Sequence, residues 1–558
     1  MQDNDAGEIT ISYEELNVKM QDNWQKVLLP DVSPEFEDDI NPIIPPTSGI
    51  RIELLEKRGD EYYCPVSRYS LFLRIFKSIS MILSEKMDHP AKILVTSDER
   101  PTSDKLVKDC IRILACDGHE IHVQDEKEGV LAFPDFKHSG VSTPYSSASI
   151  AVFPELDAVI CITASHNSLV WNGVKFYYQQ PIPIAGNMMK EISERALNTN
   201  VVLLENEKDI VLNGRNYEAK INDYVKDLIQ KIIPIKGIQD KPIILWPYMG
   251  DGKGIHDILN HFNFKIVKIS KRMEPPDPTI NFPLAEVKGH MEANRSDLAI
   301  LLDADRDRIV FLVKVNDEYV KMNPNELYTS MHNILVNHFN KQLLNVRTVP
   351  SDPRSDGASS FTIETGVGYK HLGIVQYLAC GLPVEQSQFE SALIYGKTKG
   401  TKVKIDSQEK LIAFLNEKLA ADPEKSMIMA LWEESGGHTA NIVTPVVEQG
   451  KITKLKSDLP LIGDKFPAVA IILLSELISR DYNLLDAIDM SIIGKRIKIS
   501  ADDRRKKGIM EALDNLVGNT VTIEGTDYRV EDYRDNGKKL RAKTVAITFD
   551  DGYSDNYL

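Results

Sequence analysis

Three short polar segments of this 558-residue chain contain the side chains best suited to chemistry. The first is 163–167, TASHN in one-letter code, which follows the apolar run 156–162 and precedes Lys175. A serine exposed at the carboxyl end of a strand, with a lysine nearby, has the access, the backbone donors and the cation that a phosphoryl-carrying nucleophile needs. An ordinary polar turn uses the same residue types, so this segment alone leaves both interpretations open.

The second segment places three carboxylates at alternate positions between an apolar run and a β-branched run. These are Asp303, Asp305 and Asp307 in the sequence DADRDR. Their oxygens can converge on one hard cation such as Mg²⁺, which usually keeps further positions for water or phosphate. An EF-hand is excluded, because it would need glycine and glutamate where this chain has Arg308 and Lys314. A solvated acidic turn remains the alternative.

The third segment is 432–438, WEESGGH, after the apolar run 427–431. Its short polar side chains and its glycine-freed backbone suit the hydroxyls of a sugar, which need several polar groups at close approach. A hairpin turn would explain the same residues.

Together the three segments resemble the α-D-phosphohexomutases, the family of phosphoglucomutase and phosphomannomutase. The order matches a phosphoserine loop, a metal loop of DGDGDR type and a sugar loop of GEESGG type, across about residues 45 to 545. Smaller elements agree as well: TSGIR at 47–51, D-x-R-x-S at 98–103, NGxK at 172–175, PDPT at 276–279 and TGxGxK at 365–370.

The resemblance implies a phosphotransferase that interconverts hexose 1-phosphate and hexose 6-phosphate through a phosphoserine and a bisphosphorylated sugar. The implied catalytic residues are Ser165, His166, Lys175 and Arg51. The implied Mg²⁺ ligands are Asp303, Asp305 and Asp307, together with Ser165. The implied substrate-binding residues are Glu433, Ser435, Arg308 and Lys370. The sugar loop fits glucose, mannose or glucosamine phosphate.

Apolar periodicity predicts an α/β fold. A strand-like run at 92–96 is followed by a helical pattern from Ser103 that Gly118 ends, and then by a strand-like run at 120–123. The same alternation recurs between 242 and 269, which favours mostly parallel sheets covered on both faces. The three polar segments then lie at strand carboxyl ends, where open α/β sheets bind ligands.

The predicted architecture is three successive mixed α/β domains and a partial α+β fourth domain. The predicted boundaries are an extension at 1–44, then 45–210, 211–322, 323–482 and 483–558. An Asn- and Glu-rich stretch at 198–216 suggests a linker, Asn323 is expected to begin a helix, and a further helix is expected at 500–516.

Composition limits the function classes. The net charge of −16 argues against nucleic acid as a partner, and any cations that bind a sugar phosphate must therefore be local. The candidates are Arg51, Arg100, Lys175, Arg308 and Lys370. There is no run of 18 apolar residues, so no membrane span and a cytoplasmic location are expected. Five cysteines without a CxxC pair argue against a disulfide frame or a zinc site.

Departures from the family pattern keep two other functions open. The family's RPSGTEP-like phosphate loop is not found, so truncation or fusion after about residue 545 and impaired activity are expected. Residues 545–556 also look like the opening metal motif of polysaccharide deacetylases. The alternatives are a haloacid-dehalogenase-like phosphatase, with Asp303 as nucleophile and Asp305 as acid, and a non-catalytic sugar-phosphate-binding protein.

Overall fold

The computed structural model describes residues 9–20, 24–40, 49–237, 241–384, 389, 392–398, 401–419 and 425–488, and three strands at 520–523, 526–530 and 544–545. The predicted helix at 500–516, the deacetylase-like segment after 545, and Thr47 and Ser48 of the TSGIR element lie outside the described residues.

The first unit is built on a seven-stranded sheet in the order β4-β11-β10-β7-β8-β13-β9. The strands are β1 (Ile11–Tyr13), β2 (Asn17–Met20), β3 (Trp24–Leu28), β4 (Ile50–Glu53), β5 (Glu56–Arg58), β6 (Glu61–Cys64), β7 (Lys92–Ser97), β8 (Glu120–Gln124), β9 (Gly129–Ala132), β10 (Ala158–Ile162), β11 (Trp171–Tyr178), β12 (Val201–Glu205) and β13 (Val211–Arg215). The helices are α1 (Pro34–Ile40), α2 (Val66–Lys86), α3 (Ser103–Cys116), α4 (Thr143–Val152) and α5 (Gly186–Asn198).

The second unit has a five-stranded sheet in the order β15-β14-β16-β17-β18. Its strands are β14 (Ile243–Pro247), β15 (Ile266–Lys268), β16 (Leu298–Leu302), β17 (Ile309–Val315) and β18 (Glu318–Met322). Its helices are α6 (Tyr217–Ile232), α7 (Lys253–His261) and α8 (Leu284–Asn294).

The third unit has a seven-stranded sheet in the order β22-β21-β20-β19-β23-β24-β25. Its strands are β19 (Leu343–Thr348), β20 (Thr362–Thr365), β21 (Ile394–Thr398), β22 (Thr401–Lys404), β23 (Met427–Trp432), β24 (His438–Glu448) and β25 (Lys451–Lys456). Its helices are α9 (Pro324–Asn337), α10 (Tyr369–Ala379), α11 (Gln408–Leu419) and α12 (Ala468–Ser479). As predicted, Asn323 caps α9, in a reciprocal capping box with Glu326.

The α/β prediction is confirmed, but the parallel pairing is limited to the sheet centres. Strands β7, β8, β10 and β13 are parallel, as are β14–β16 and β19, β20 and β23. Antiparallel strands flank them, including β11, β17 and β24. The serine, metal and sugar loops are each the turn of a hairpin that joins a fully buried central strand to one of these three. The mixed sheets therefore follow from loops too short for a crossover helix.

Two boundary predictions need correction. The linker prediction at 198–216 is wrong, because this stretch contains β12 and β13, and β13 lies inside the first sheet between β8 and β9. Its strands alternate exposed and buried side chains, and the polar half of that pattern resembles a linker in composition. We propose that the first unit extends to Arg215. The Leu484–Ala487 turn packs on α9, and we propose that the third unit continues past 482.

The segment predicted as an N-terminal extension packs on the first unit. Strand β1 pairs with β6, and β3 pairs with β12. Val27, Leu29 and Ile40 are buried in the same apolar cluster as the first sheet. Among the described residues, no helix has the length and apolar character needed to cross a membrane.

The three units share one apolar core. A single cluster contains Tyr145 of the first unit, Phe311 of the second, and Trp432 and Phe466 of the third. The rings of Tyr145 and Phe466 have their centroids 5.4 Å apart. This packing fixes the three hairpin turns relative to one another and allows residues far apart in sequence to form one site.

Candidate functional site

The serine loop between β10 and β11 is folded around the guanidinium of Arg100. Its Nη1 donates to the carbonyls of Ser168 and Trp171 at 2.6 and 2.9 Å, and its Nη2 donates to those of Ser165 and Asn167 at 2.6 and 2.7 Å. These bonds supply donors to carbonyls of a largely buried loop, where backbone acceptors need partners. Arg100, predicted as a possible phosphate-binding cation, is therefore committed to shaping this loop.

Asp98 orients both Arg100 and the start of the loop. Its carboxylate accepts hydrogen bonds from Arg100 Nε at 3.1 Å, from Thr163 Oγ1 at 2.7 Å and from Ser103 Oγ at 3.2 Å. Thr163 Oγ1 in turn accepts from the backbone N–H of Ser165 at 2.8 Å. Ser165 has φ 55°, in the left-handed region that non-glycine residues seldom adopt. Strain of this kind persists where the surroundings impose it, often at functional positions.

The sequence-based expectation that Ser165 is exposed is wrong, because it is only 1% exposed. The reason is that the loop folds inward onto Arg100 and onto the second unit, where Leu169 packs against Met249 and Ala304 of the metal loop region. His166 lies beside the serine, with Nδ1 3.4 Å from Ser165 Oγ.

The three aspartates of the metal loop are fully buried and converge. One carboxylate oxygen from each of Asp303, Asp305 and Asp307 lies within 4.8 Å of the other two. Asp303 Oδ1 accepts the backbone N–H groups of Asp307 and Arg308 at 3.0 and 3.1 Å, which closes the turn. Asp303 Oδ2, Asp305 Oδ1 and Asp307 Oδ1 are buried and have no hydrogen-bond partner in the part of the chain that the structure describes.

The three carboxylates fit a divalent metal ion. Buried carboxylate oxygens without donors are costly, and carboxylates that converge repel one another unless a cation lies between them. An all-oxygen set with room for further ligands is the donor set that hard cations prefer. The structure therefore supports the predicted role of the triad as residues that could hold a metal ion.

Lys175 on β11 joins the serine hairpin to the metal loop. Its Nζ lies 3.0 Å from Asp305 Oδ2 and 3.5 Å from Asp307 Oδ2, and Thr143 Oγ1 donates to Asp305 Oδ2 at 2.7 Å. Burial alone would lower the pKa of Lys175, but the two aspartates outweigh it and hold that pKa above its usual value. Burial would raise the pKa of Asp305, but Lys175 and Thr143 hold it below the usual range.

The pKa of Asp303 is shifted in the opposite direction to that of Asp305. Burial, followed by repulsion from Asp305 and Asp307, raises its pKa well above the ordinary value. One carboxyl of the triad therefore favours the protonated state when no cation offsets the charge of its neighbours.

Lys465 links the sugar loop to the metal loop. Its Nζ lies 2.7 Å from Glu433 Oε1 and 3.5 Å from Asp307 Oδ2, and Ser435 Oγ donates to Glu433 Oε1. Burial would lower the pKa of Lys465, but Asp307 and Glu433 raise it above its usual value. Gly436 lies against Arg308, where an added Cβ would come 2.8 Å from the Arg308 Cα. The close approach of the two loops requires glycine there.

Buried side chains of the third unit pack against the sugar loop and hydrogen-bond to it. Trp432 is fully buried, and its Nε1 donates to Asn345 Oδ1 at 2.8 Å. The Tyr328 hydroxyl donates to the carbonyl of Gly436, and the Tyr328 ring packs beside Trp432 and His438. The helix α9, which carries Tyr328, thus helps to fix the position of the sugar loop relative to β23.

The structure shows three contact residues to which the sequence analysis gave no role. Lys465 belongs to no recognised motif, and only its distances show its place between two loops. Thr143 opens α4, a position that indicates only a helix start. Asp277 belongs to the PDPT element, but only the structure shows that its Oδ2 lies 3.2 Å from Arg308 Nη1. A motif scan finds residues by spacing along the chain, which Lys465 and Thr143 do not share with the rest of the site.

The remaining predicted residues lie on elements that border the site. Arg51 on β4 is directly opposite Gly173 on β11, two positions before Lys175. Lys370 is buried on the first turn of α10, and its neighbour Tyr369 donates to the carbonyl of Leu431 at 2.7 Å. The contacts above join Lys175, the aspartates and Glu433, whereas Ser165 contacts Arg100, Thr163 and His166 of its own unit. The roles of Arg51 and Lys370 stay predictions.

A buried glutamate behind the metal loop gives a pH prediction. Burial, offset in part by Arg306, raises the pKa of Glu218 from 4.5 to about 8. Since its folded pKa is raised, Glu218 stabilises the fold fully below pH 4.5, and we expect this contribution to be lost as pH rises through about 8. The slope is up to about 1.4 kcal/mol per pH unit. Urea unfolding from pH 5 to 9 should show this decline, and Glu218→Gln should flatten it. Equal slopes in both proteins would contradict the prediction.

Comparisons with known proteins find relatives of one kind, phosphoglucomutases and phosphomannomutases. Residues 45–201 match the family described as phosphoglucomutase/phosphomannomutase, alpha/beta/alpha domain I. A phosphoglucomutase of Staphylococcus haemolyticus is 26% identical over 318 residues, covering 52% of this chain and 54% of that protein. A phosphomannomutase of Vibrio cholerae is 24% identical over 266 residues, covering 44% and 52%. The chain thus spans about half the length of the curated relatives it matches.

Solved structures agree on the fold. A Thermus thermophilus protein assigned as a phosphomannomutase aligns with a TM-score of 0.52 at 16% identity, covering 79% of this chain and 81% of that one. Parafusin, a phosphoglucomutase from Paramecium, aligns with a TM-score of 0.51 at 15% identity, covering 83% and 74%. Residues 45–201 are thus similar to domain I of phosphoglucomutases and phosphomannomutases, and the chain shares the fold of the two solved structures.

Proposed function

We propose that this protein is a phosphohexomutase that interconverts hexose 1-phosphate and hexose 6-phosphate, with Ser165 as the phosphoryl carrier. The observation that carries the proposal is a series of ion pairs that links strand β11 of the serine hairpin, the metal loop and the sugar loop. Lys175 contacts Asp305 and Asp307, and Lys465 contacts Asp307 and Glu433. A nucleophile loop, a metal loop and a loop for sugar hydroxyls that meet at one point are what such a reaction requires.

In the proposed first step, phosphorylated Ser165 gives its phosphoryl group to a free hydroxyl of the hexose monophosphate. The bond between Oγ and phosphorus breaks, a bond from the sugar oxygen to phosphorus forms, and the hydroxyl proton ends on Ser165 Oγ. His166 Nδ1, 3.4 Å from that oxygen, is suited to carry the proton. The bisphosphorylated sugar then turns over, and the reverse step returns its other phosphoryl group to Ser165.

Asp303, Asp305 and Asp307 would hold Mg²⁺ through their three unpartnered oxygens. A bound Mg²⁺ would offset the charge on the transferring phosphoryl oxygens. Lys175 is kept cationic by Asp305 and Asp307, so its proposed role is to stabilise negative charge, and it is not free to act as a base. Glu433 and Ser435 would bind sugar hydroxyls, with Arg308, Lys370 and Arg51 as phosphate or sugar contacts.

A coupled assay tests the proposal directly. Glucose 1-phosphate and mannose 1-phosphate would be supplied with Mg²⁺ and a trace of the matching bisphosphate, and the 6-phosphate product measured. The phosphorylated residue would be mapped by mass spectrometry. We expect turnover of at least one sugar and phosphate on Ser165. A phosphate on Asp303 would favour the phosphatase alternative, and binding without turnover or phosphoenzyme would favour the binding protein.

A further inference from the structure

The middle residue of the metal loop adopts an unusual backbone conformation. Arg306, between Asp305 and Asp307, has φ 61°. This left-handed conformation is unfavourable for a residue with a Cβ, and glycine is its ordinary occupant. A strained residue of this kind persists only where other contacts hold it in place.

The contact that holds Arg306 comes from the first unit. Its side chain is 3% exposed, and Nη1 lies 3.0 and 2.8 Å from the two carboxylate oxygens of Glu99, with the carbonyl of Met249 at 3.3 Å. The attraction of Glu99 outweighs burial and keeps the pKa of Arg306 above its usual value. The guanidinium is therefore charged and paired across the boundary between the two units.

Two glycines enclose the Glu99 carboxyl group. A Cβ built on Gly140 would lie 2.3 Å from the Glu99 Cδ, and one built on Gly250 would lie 2.2 Å from it. Gly140 belongs to the first unit and Gly250 to the second, so Glu99 occupies a slot that both units form. The slot leaves the carboxyl group little freedom, which favours a fixed geometry for the ion pair.

The neighbours of Glu99 hold the other loop. Asp98 binds Thr163, and Arg100 binds four carbonyls of the serine loop, including that of Ser165. Asp98 and Arg100 thus hold the serine loop, and Glu99, which lies between them in sequence, holds the metal loop.

We propose that Glu99 and Arg306 are a positioning pair that fixes the metal loop relative to the serine loop. The pair does not touch the reacting atoms, and it acts through the backbone of Asp305 and Asp307. The inference rests on the proposed function for its catalytic meaning, but the positioning itself is measurable without turnover. An ordinary stabilising ion pair would lower stability when removed and leave the metal loop's local order and Mg²⁺ affinity unchanged.

Glu99→Gln tests the proposal, with Glu286→Gln as the matched control. Glu286 is also paired, with Lys271 at 2.8 Å and with His290 at 3.9 Å, but it lies at the surface of the second unit. Amide hydrogen exchange would be measured on peptides covering 163–171 and 303–308, without added metal. We expect Glu99→Gln to speed exchange at 303–308 by about 10-fold, and Glu286→Gln to leave it unchanged. Equal exchange in the two variants would overturn the proposal.

Mg²⁺ titration by calorimetry gives a second readout. We expect Glu99→Gln to weaken Mg²⁺ binding by about 10-fold, as removal of an outer residue around a metal site does. In the active enzyme, kcat should fall more than KM rises. Failure of the wild-type protein to transfer phosphoryl groups would refute the proposed function, while the exchange difference would still decide the positioning role.

Arg306→Gly provides a variant that relieves backbone strain, in case Glu99→Gln does not fold. It should fold, and it should loosen 303–308 in the same exchange experiment. In the double variant, the loss of Mg²⁺ affinity should be clearly smaller than the product of the two single losses, because both changes remove the same contact. Independent effects of the two substitutions would overturn the proposal.

Discussion

Replacing Ser165 by alanine is expected to abolish phosphoenzyme formation and to reduce mutase turnover to background. The hydroxyl is the only group removed, and without it no covalent relay can form. The loop should keep its shape, because Arg100 binds its backbone carbonyls and Thr163 binds the Ser165 N–H group. Intact-mass spectrometry after incubation with a hexose bisphosphate, together with the coupled assay, measures both effects.

Ser168→Ala is the control for that experiment. Ser168 lies in the same loop, and only its backbone carbonyl contacts Arg100 among the contacts described above. We expect Ser168→Ala to form phosphoenzyme at the wild-type level, and we expect the melting temperature to be unchanged in both variants. Wild-type turnover by Ser165→Ala would show that Ser165 is not the nucleophile. It would not contradict the prediction of a metal site.

Asp305→Asn is expected to weaken Mg²⁺ binding and to slow phosphoryl transfer by orders of magnitude. One of three converging carboxylate oxygens loses its charge, and few protein oxygens hold the ion. Asp305 also neutralises Lys175, a buried cation whose nearest carboxylate would be lost. Breaking a buried pair in this way costs about 3 kcal/mol or more. Calorimetric Mg²⁺ titration and urea unfolding separate the two losses.

The matched control is Asp297→Asn. Asp297 stands just before the strand β16 that leads to the metal loop, and it pairs with Lys241 at the surface. Neither Mg²⁺ affinity nor turnover should change in this variant. If Asp305→Asn bound Mg²⁺ as tightly as the wild-type protein, the acidic loop would be a structural turn and not a metal site.

The central strands and the loops they carry could be predicted because their signals are local. Fully apolar runs such as Ala158–Ile162 and Leu298–Leu302 can only be buried strands when turn residues bound them closely. The three aspartates share one short loop, so their convergence also follows from sequence spacing. The convergence of the three aspartates was therefore predictable, while their binding of Mg²⁺ and the part of Ser165 in it stay predictions.

The burial of Ser165 and the part of Lys465 were not predictable, because they depend on how distant segments pack. The serine loop turns inward for Arg100, which is 65 residues away, and for apolar contacts with the second unit. Lys465 gains its role only where the second and third units meet. The strands within 198–216 were missed for another reason: half-exposed strands carry polar residues on one side, and composition alone does not distinguish them from a linker.

The fluorescence of Trp432 should report on the conformation of the sugar loop. The chain has four tryptophans, and this one directly precedes Glu433, fully buried and hydrogen-bonded to Asn345. Its emission should lie at short wavelength, as for an indole shielded from water. A sugar that draws Glu433 away from Lys465 would shift the backbone beside the indole and alter its intensity. Ligand occupancy could then be followed by light alone, with Trp432→Phe identifying the source of the signal.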